Sequence, residues 1–199
     1  MSVVAIIPVK PFSEGKSRLS KALSHKKRMV LNRTMFLHVL NIALSTKSIE
    51  EVIVVSRDPH ALDIAEEAGA HAILEEIKSN LNQALDIARK AAKSLNATTI
   101  LVLPSDLAKI NSEDINILLQ SIAKHSPSVV IAPDKRLLGT NALLLEPLDA
   151  IPFSFGEGSF KKHQEDAGRA GCEISIVKRP NLTFDVDEPN DLFFMENGK

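Results

Sequence analysis

Short apolar runs, rich in β-branched residues, alternate along this chain with segments whose apolar residues fall at helical spacing. Val3–Val9 and Val52–Val55 are such runs, and Ile100–Leu103 is another apolar stretch. Runs of this length and composition suit strands buried on both faces. Between the first two, Met29, Val30, Met35, Phe36, Val39, Leu40 and Ala43 recur as on one side of a helix. Between the second and third lie a helical segment at Leu62–Ala68, a short strand near Ala72–Leu74 and a helix with an apolar stripe over Leu81–Leu95. This β-α-β-α-β-α-β series implies a mostly parallel sheet with helices on its faces.

After Leu103 the pattern predicts a helix near Glu113–Lys124, strands near Val129–Ala132 and Ala142–Leu145, a helix near Ser159–Ala170 and a strand at Ile174–Val177. No linker, low-complexity tract or internal repeat interrupts the series, so residues 1–199 read as one α/β domain.

Composition narrows the function classes. Eight Phe, no Trp and no Tyr leave the core to aliphatic side chains, and they disfavour nucleic-acid modules that stack bases on aromatic platforms. A net charge of −1 gives no overall field toward nucleic acid or membrane. The one cysteine, Cys172, excludes an intramolecular disulfide and a Cys-cluster metal site. No apolar run approaches the roughly 20 residues that span a bilayer, and Met1–Pro8 has no basic region ahead of its apolar stretch. The expectation is a cytoplasmic protein with neither a nucleic-acid nor a membrane partner.

Gly, Pro and Asp cluster just after the expected strands, where open α/β sheets bind ligands. Four loops stand out. In Pro8–Leu19, Gly15-Lys16-Ser17 imitates the end of a phosphate-binding P-loop, but Lys10 stands where that motif needs its first Gly. What remains is a loop carrying Lys10, Lys16 and Arg18, suited to a polyphosphate or to plain solvation. In Leu103-Pro104-Ser105-Asp106-Leu107, Asp106 is placed to hold Mg²⁺ or to cap a turn.

The third loop runs from Ala132 to Ala142 through Gly139-Thr140-Asn141 and continues in Phe153–Phe160 with Gly156-Glu157-Gly158-Ser159. The last of these precedes a helix, whose N-terminus could bind an anion or simply be capped. In the fourth, Phe184-Asp185-Val186-Asp187, two carboxylates at i and i+2 would share one side of an extended segment and repel unless a cation lies between them. The six His residues have no metal-ligand spacing and no nucleophile to activate.

In order and spacing these loops resemble one family, the 2-phospho-L-lactate guanylyltransferases of deazaflavin coenzyme (factor 420) biosynthesis in methanogenic archaea. The resemblance covers nearly the whole chain. It rests on Ile7–Pro11 with Lys16–Leu19, Leu103–Leu107, Ala132–Asp134 with Gly139–Leu143, Phe155–Phe160, and Asp185-Val186-Asp187 with Pro189, Asp191 and Leu192. Ser105 stands where relatives often carry Ala, a mild departure.

The resemblance implies a three-layer αβα fold of the nucleotide-diphospho-sugar transferase type, with a mixed, mostly parallel sheet. It implies transfer of GMP from GTP to 2-phospho-L-lactate with release of pyrophosphate. By position, Asp106, Asp185 and Asp187 would hold Mg²⁺, and Lys10, Lys16 and Arg18 the triphosphate. Thr140, Asn141, Gly156, Gly158 and Ser159 would receive the acceptor. The acceptor phosphate arrives ionised, which agrees with the absence of a general base.

Phosphoenolpyruvate or another small phosphorylated acceptor is the alternative, and a non-catalytic nucleotide-binding domain a further one. A homodimer is expected, with Leu137–Leu138 and Leu148–Phe155 either covering its contact or packing on the core.

Overall fold

The computed structural model describes residues 2–75, 80–124, 127–186, 189, 191 and 192. The first half alternates strand and helix: β1 (Val3–Val9), a short 3₁₀ turn (Ser17–Lys21), α1 (His25–Ser45), β2 (Glu51–Ser56), α2 (Pro59–Glu67), β3 (His71–Leu74), α3 (Leu81–Ser94) and β4 (Thr99–Val102). It continues with α4 (Ser112–Gln120), β5 (Ser128–Pro133), β6 (Thr140–Glu146), α5 (Ser159–Arg169), β7 (Glu173–Ile176) and the single turn α6 (Pro180–Thr183).

The strands form one seven-stranded sheet in the order β3-β2-β1-β4-β6-β5-β7. Its pairs are parallel except for the two that flank β6. The antiparallel strand follows from the connection: β5 and β6 are joined by the short loop 134–139, too short for the crossover of a dozen or more residues that a parallel pair requires.

Alternate residues of each strand build the two halves of the core. Val3, Ala5, Ile7, Val52, Val54 and Leu101 face Phe36, Val39, Leu40 and Ala43 of α1, Ala61 and Ala65 of α2, and Leu118 of α4. Val4, Ile6, Ile53, Val55, Ile100 and Val102 face Ala84, Leu85, Ala88 and Ala92 of α3 and Ala167 of α5. Full burial of one such aliphatic side chain contributes about 1.5–3 kcal/mol. Strands apolar on both faces therefore need helices on both, which makes three layers. Of the two segments expected either to cover a dimer contact or to pack inward, Leu148, Ile151 and Phe153 pack in the core, while Leu137 and Leu138 are exposed.

Candidate active site

A cleft of about 790 Å³ opens over the carboxyl ends of β1, β2, β3 and β4. The parallel arrangement of these strands places their following loops side by side along one sheet edge. Lys10, Lys16, Arg18 and Asp106 all line this cleft, so the first and second loops meet.

The basic loop is held from several sides. The Phe12 N–H donates to Asp58 Oδ2 at 2.9 Å, and the Asn32 amide donates to the Phe12 carbonyl at 2.8 Å. The Phe12 ring packs against Phe36, with centroids 5.8 Å apart. Asp58 also caps α2, accepting from the His60 N–H at 3.1 Å, so one side chain joins the β1 and β2 exits. A Cβ at Gly15 would collide with the Asn32 amide. Lys16 itself takes the left-handed conformation, φ 55°, which carries its side chain toward β4. There its Nζ meets Asp106 Oδ2 at 2.6 Å.

Lys16 is nearly buried, whereas Asp106 keeps about a third of its side chain exposed (7% and 32%). Asp106 Oδ1 makes no hydrogen bond among the described residues.

The fourth loop is drawn to the same region. Val186 is fully buried and clusters with Leu19 of the 3₁₀ turn and Leu31 and Met35 of α1, with Ala108 packed alongside. Met35 lines the cleft, and Ala108 lies two residues past Asp106. The Lys109 ammonium sits 4.8 Å from the Phe184 ring centroid. Asp185 therefore belongs to a segment anchored beside the Asp106 loop. Asp187 lies outside the described residues, and among those described no group of three or more His, Cys, Asp or Glu could hold a metal ion.

The third loop contributes differently. Thr140, Asn141 and Ser159 are buried and do not line the cleft. Thr140 Oγ1 pairs with His163 Nδ1 at 3.0 Å. The Asn141 amide donates to the Leu182 carbonyl at 2.9 Å, tying β6 to α6. Gly156 and Gly158 take positive φ, 124° and 69°, and turn the chain into α5 with Gly158 as its N-cap.

Their neighbour Phe155 reaches the cleft and is braced by Asn82 of α3. The Phe155 N–H donates to Asn82 Oδ1 at 2.8 Å, and Asn82 Nδ2 donates to the Phe155 carbonyl at 3.1 Å. The His163 ring stands edge-on to Phe155 at 5.0 Å. The Ser154 N–H donates to His163 Nε2 at 3.1 Å, so Nε2 is the acceptor and the Nδ1 proton goes to Thr140. Burial pushes the His163 pKa down to about 4.

Sequence reasoning missed Arg57, Glu75 and Asn80, which also line the cleft, and gave no role to Phe155, which does so too. Arg57 and Glu75 directly follow β2 and β3, so the strand-exit rule that singled out Lys10 and Asp106 applies to them equally. The Arg57 guanidinium bonds Glu14 at 2.8 Å and stands 3.6 Å from Glu75 Oε1; the Glu14 hydrogen bond in particular raises its pKa.

A seven-stranded mixed sheet with a basic loop and a carboxylate at its ligand edge defines a nucleotidyltransferase-type α/β enzyme. The chain belongs to the family described as CofC-like guanylyl transferases, whose model matches residues 3–196. It is 42% identical over 196 residues to the phosphoenolpyruvate guanylyltransferase of Rubrobacter xylanophilus, covering 98% of this chain and 94% of the relative. It is 34% identical over 187 residues to the 3-phospho-D-glycerate guanylyltransferase of Colwellia psychrerythraea, covering 94% and 88%. A crystal structure from Desulfovibrio desulfuricans, provisionally described as a nucleotide-diphospho-sugar transferase, superposes with a TM-score of 0.77 over 100% of this chain and 88% of the other, at 16% identity. The expected fold class is the observed one. No helix among the described residues is long and apolar enough to cross a membrane.

Proposed function

We propose that this chain transfers the guanylyl group of GTP to the phosphate of a small three-carbon acid, with phosphoenolpyruvate as the preferred acceptor. The observation that carries the transfer is the meeting of Lys10, Lys16 and Arg18 with Asp106 in one cleft. The acceptor rests on the relatives: the Rubrobacter protein, at 42% identity, is a phosphoenolpyruvate guanylyltransferase and the Colwellia protein, at 34%, a 3-phospho-D-glycerate guanylyltransferase, which favours phosphoenolpyruvate over 2-phospho-L-lactate. By the resemblance of its loops, the product would serve deazaflavin coenzyme biosynthesis.

In the reaction, an acceptor phosphate oxygen attacks the α-phosphorus of GTP. The new P–O bond forms as the bond to the bridging oxygen of the β-phosphate breaks, and pyrophosphate leaves. An ionised phosphate needs no base, and His163, held neutral with both ring nitrogens engaged, is not placed to be one. Lys10, Lys16 and Arg18 would position the triphosphate and offset the charge that builds on the departing pyrophosphate.

The residues present fit a Mg²⁺ ion. Asp106 offers a partly exposed hard oxygen in the cleft, and Mg²⁺ commonly takes one or two carboxylates and completes its shell with substrate phosphates and water. Asp106, with Asp185 and Asp187, would hold it. Bound there it would neutralise phosphate charge.

Incubation with GTP and Mg²⁺ together with phosphoenolpyruvate, 2-phospho-L-lactate or 3-phospho-D-glycerate, scored by pyrophosphate release, tests the proposal. The highest kcat/KM is expected with phosphoenolpyruvate. A higher value with another acid would overturn the acceptor; no release with any of them would overturn the transfer.

A further inference from the structure

Both substrates of the proposed reaction are strongly anionic, yet the cleft wall contains a nearly buried carboxylate far from the Asp106 loop. Glu75 follows β3, and its backbone N–H donates to the Ser56 carbonyl at 2.9 Å, which extends the β2–β3 ladder by one step. Its side chain is about 10% exposed and lines the cleft. Along the sheet edge, β3 and β4 are separated by β2 and β1. Three strand spacings put the two carboxylates roughly 14 Å apart at the level of the sheet. A carboxylate there would repel a phosphate, so this end of the cleft suits a different part of the substrate.

Its surroundings suit a flat, neutral ring. Val55, Leu81, Ala84 and Asn80 line the same cleft as Glu75, and α3, which carries Leu81 and Ala84, packs on the neighbouring strands β1 and β2. Leu81 is exposed at the first turn of α3, offering apolar surface to a ring face. Only one part of a purine nucleoside triphosphate presents two adjacent neutral N–H donors: the guanine edge, with its N1–H and 2-amino group. A carboxylate accepts such a pair with both oxygens. Adenine presents a lone-pair acceptor at N1 and is repelled by the same group.

We infer that Glu75 is the residue that selects guanine, accepting hydrogen bonds from N1–H and the 2-amino group, with Arg57 beside it as its counter-cation. The triphosphate then runs from β3 toward β4, bringing its phosphates to Lys10, Lys16 and Asp106. The assignment rests on the proposed use of GTP.

The test compares GTP, inosine triphosphate, which lacks only the 2-amino group, and ATP, by calorimetric binding and by kcat/KM with the best acceptor. Wild-type protein is expected to prefer GTP over inosine triphosphate by about 100-fold, the scale of one hydrogen bond to a charged group. In Glu75→Gln that ratio should collapse toward one. Glu75→Asp keeps the charge facing Arg57 but shortens the reach, and should also lose most of the ratio.

A general structural fault would lower all three nucleotides together and leave the ratio standing. An unchanged GTP-to-inosine-triphosphate ratio in either folded variant overturns the inference, as does equal wild-type binding of the two. Absence of transfer from any nucleotide, with GTP still bound selectively, would instead count against the proposed reaction.

Discussion

Lys16 Nζ and Asp106 Oδ2 meet at 2.6 Å between the exits of β1 and β4, so the loop proposed for the triphosphate is fastened to the carboxylate proposed for the metal. The two roles are physically joined. A nucleotide entering with its cation brings new partners for both groups at once, and neither charge has to be left uncompensated.

Asp106→Asn keeps the shape of the side chain and removes its charge. Pyrophosphate release should fall by about 10²–10³-fold or more, the scale of losing a group that stabilises developing charge. Far-UV circular dichroism should be unchanged, because Asp106 is partly exposed and caps no helix in the structure. Near wild-type turnover would sink the metal assignment.

Lys10 is exposed and lines the cleft without an ion pair among the described residues. Lys10→Ala should therefore leave stability within about 0.5 kcal/mol of wild type. It should raise KM for GTP about tenfold, equivalent to ~1.4 kcal/mol of binding. Lys16→Ala differs because Lys16 already supports Asp106, so its loss should lower kcat as well. Steady-state kinetics on the two variants separates these patterns.

The same particulars explain what could be read from the sequence. β1, β2, β4 and α3 were legible because apolar period and length agreed. Strand direction was not: Ala142–Leu145 is an apolar run whichever way it points. α6 has too few residues to show a period, and its segment is held by partners distant in sequence, Asn141 on the Leu182 carbonyl and Asp114 on Arg179 and Asn181. α4 was expected to reach Lys124 but ends at Gln120. Ser121 Oγ there bonds the Ile117 carbonyl, and the Ala123 N–H turns to Ser128 Oγ instead, side-chain competition of the kind that stops helices. Lys10, Lys16 and Asp106 stand out in the sequence because charge after a buried strand is conspicuous, and the structure brings all three to one cleft. Thr140 and Asn141 look equally polar in sequence, and only the structure shows their groups paired with His163 and Leu182.

His163 makes stability depend on pH in a defined window. Its folded pKa, about 4, lies below the ordinary value of 6.5, so between these the unfolded chain binds more protons. Stability is then full above about pH 6.5 and is lost as pH falls toward 4. From pH 7 to pH 5 the loss should be about 2 kcal/mol, read as a lower urea midpoint. His163→Asn should remove most of that slope. An equally steep slope in the variant would show that other groups carry it. In the folded protein the ring stays neutral until pH nears 4; because Ser154 donates to it and Phe155 packs against its edge, KM should stay flat from pH 7 to 5 and rise only as pH approaches 4.

Asp114 anchors the segment that leads to Asp185, although it lies on α4 and outside the cleft lining. It is fully buried, with Arg179 Nε on Oδ1 at 2.9 Å and the Asn181 amide on Oδ2 at 3.0 Å. It also completes the α4 capping box with Asn111. The Asp114 hydrogen bond is the main cause of the raised Arg179 pKa. Asp114→Ala removes the half of the capping box that accepts from the Asn111 N–H and leaves Arg179 and Asn181 without this partner. The expected loss is about 2–3 kcal/mol, below the full cost of breaking a buried pair because Arg179 remains about a third exposed. Freed of that anchor, α6 holds residues 184–186 less firmly against Ala108 and Leu19. The variant at 15 °C, still folded, should therefore need more Mg²⁺ for half-maximal activity while KM for GTP stays near wild type. An unchanged Mg²⁺ requirement in a destabilised but folded variant would separate the anchor from the metal site.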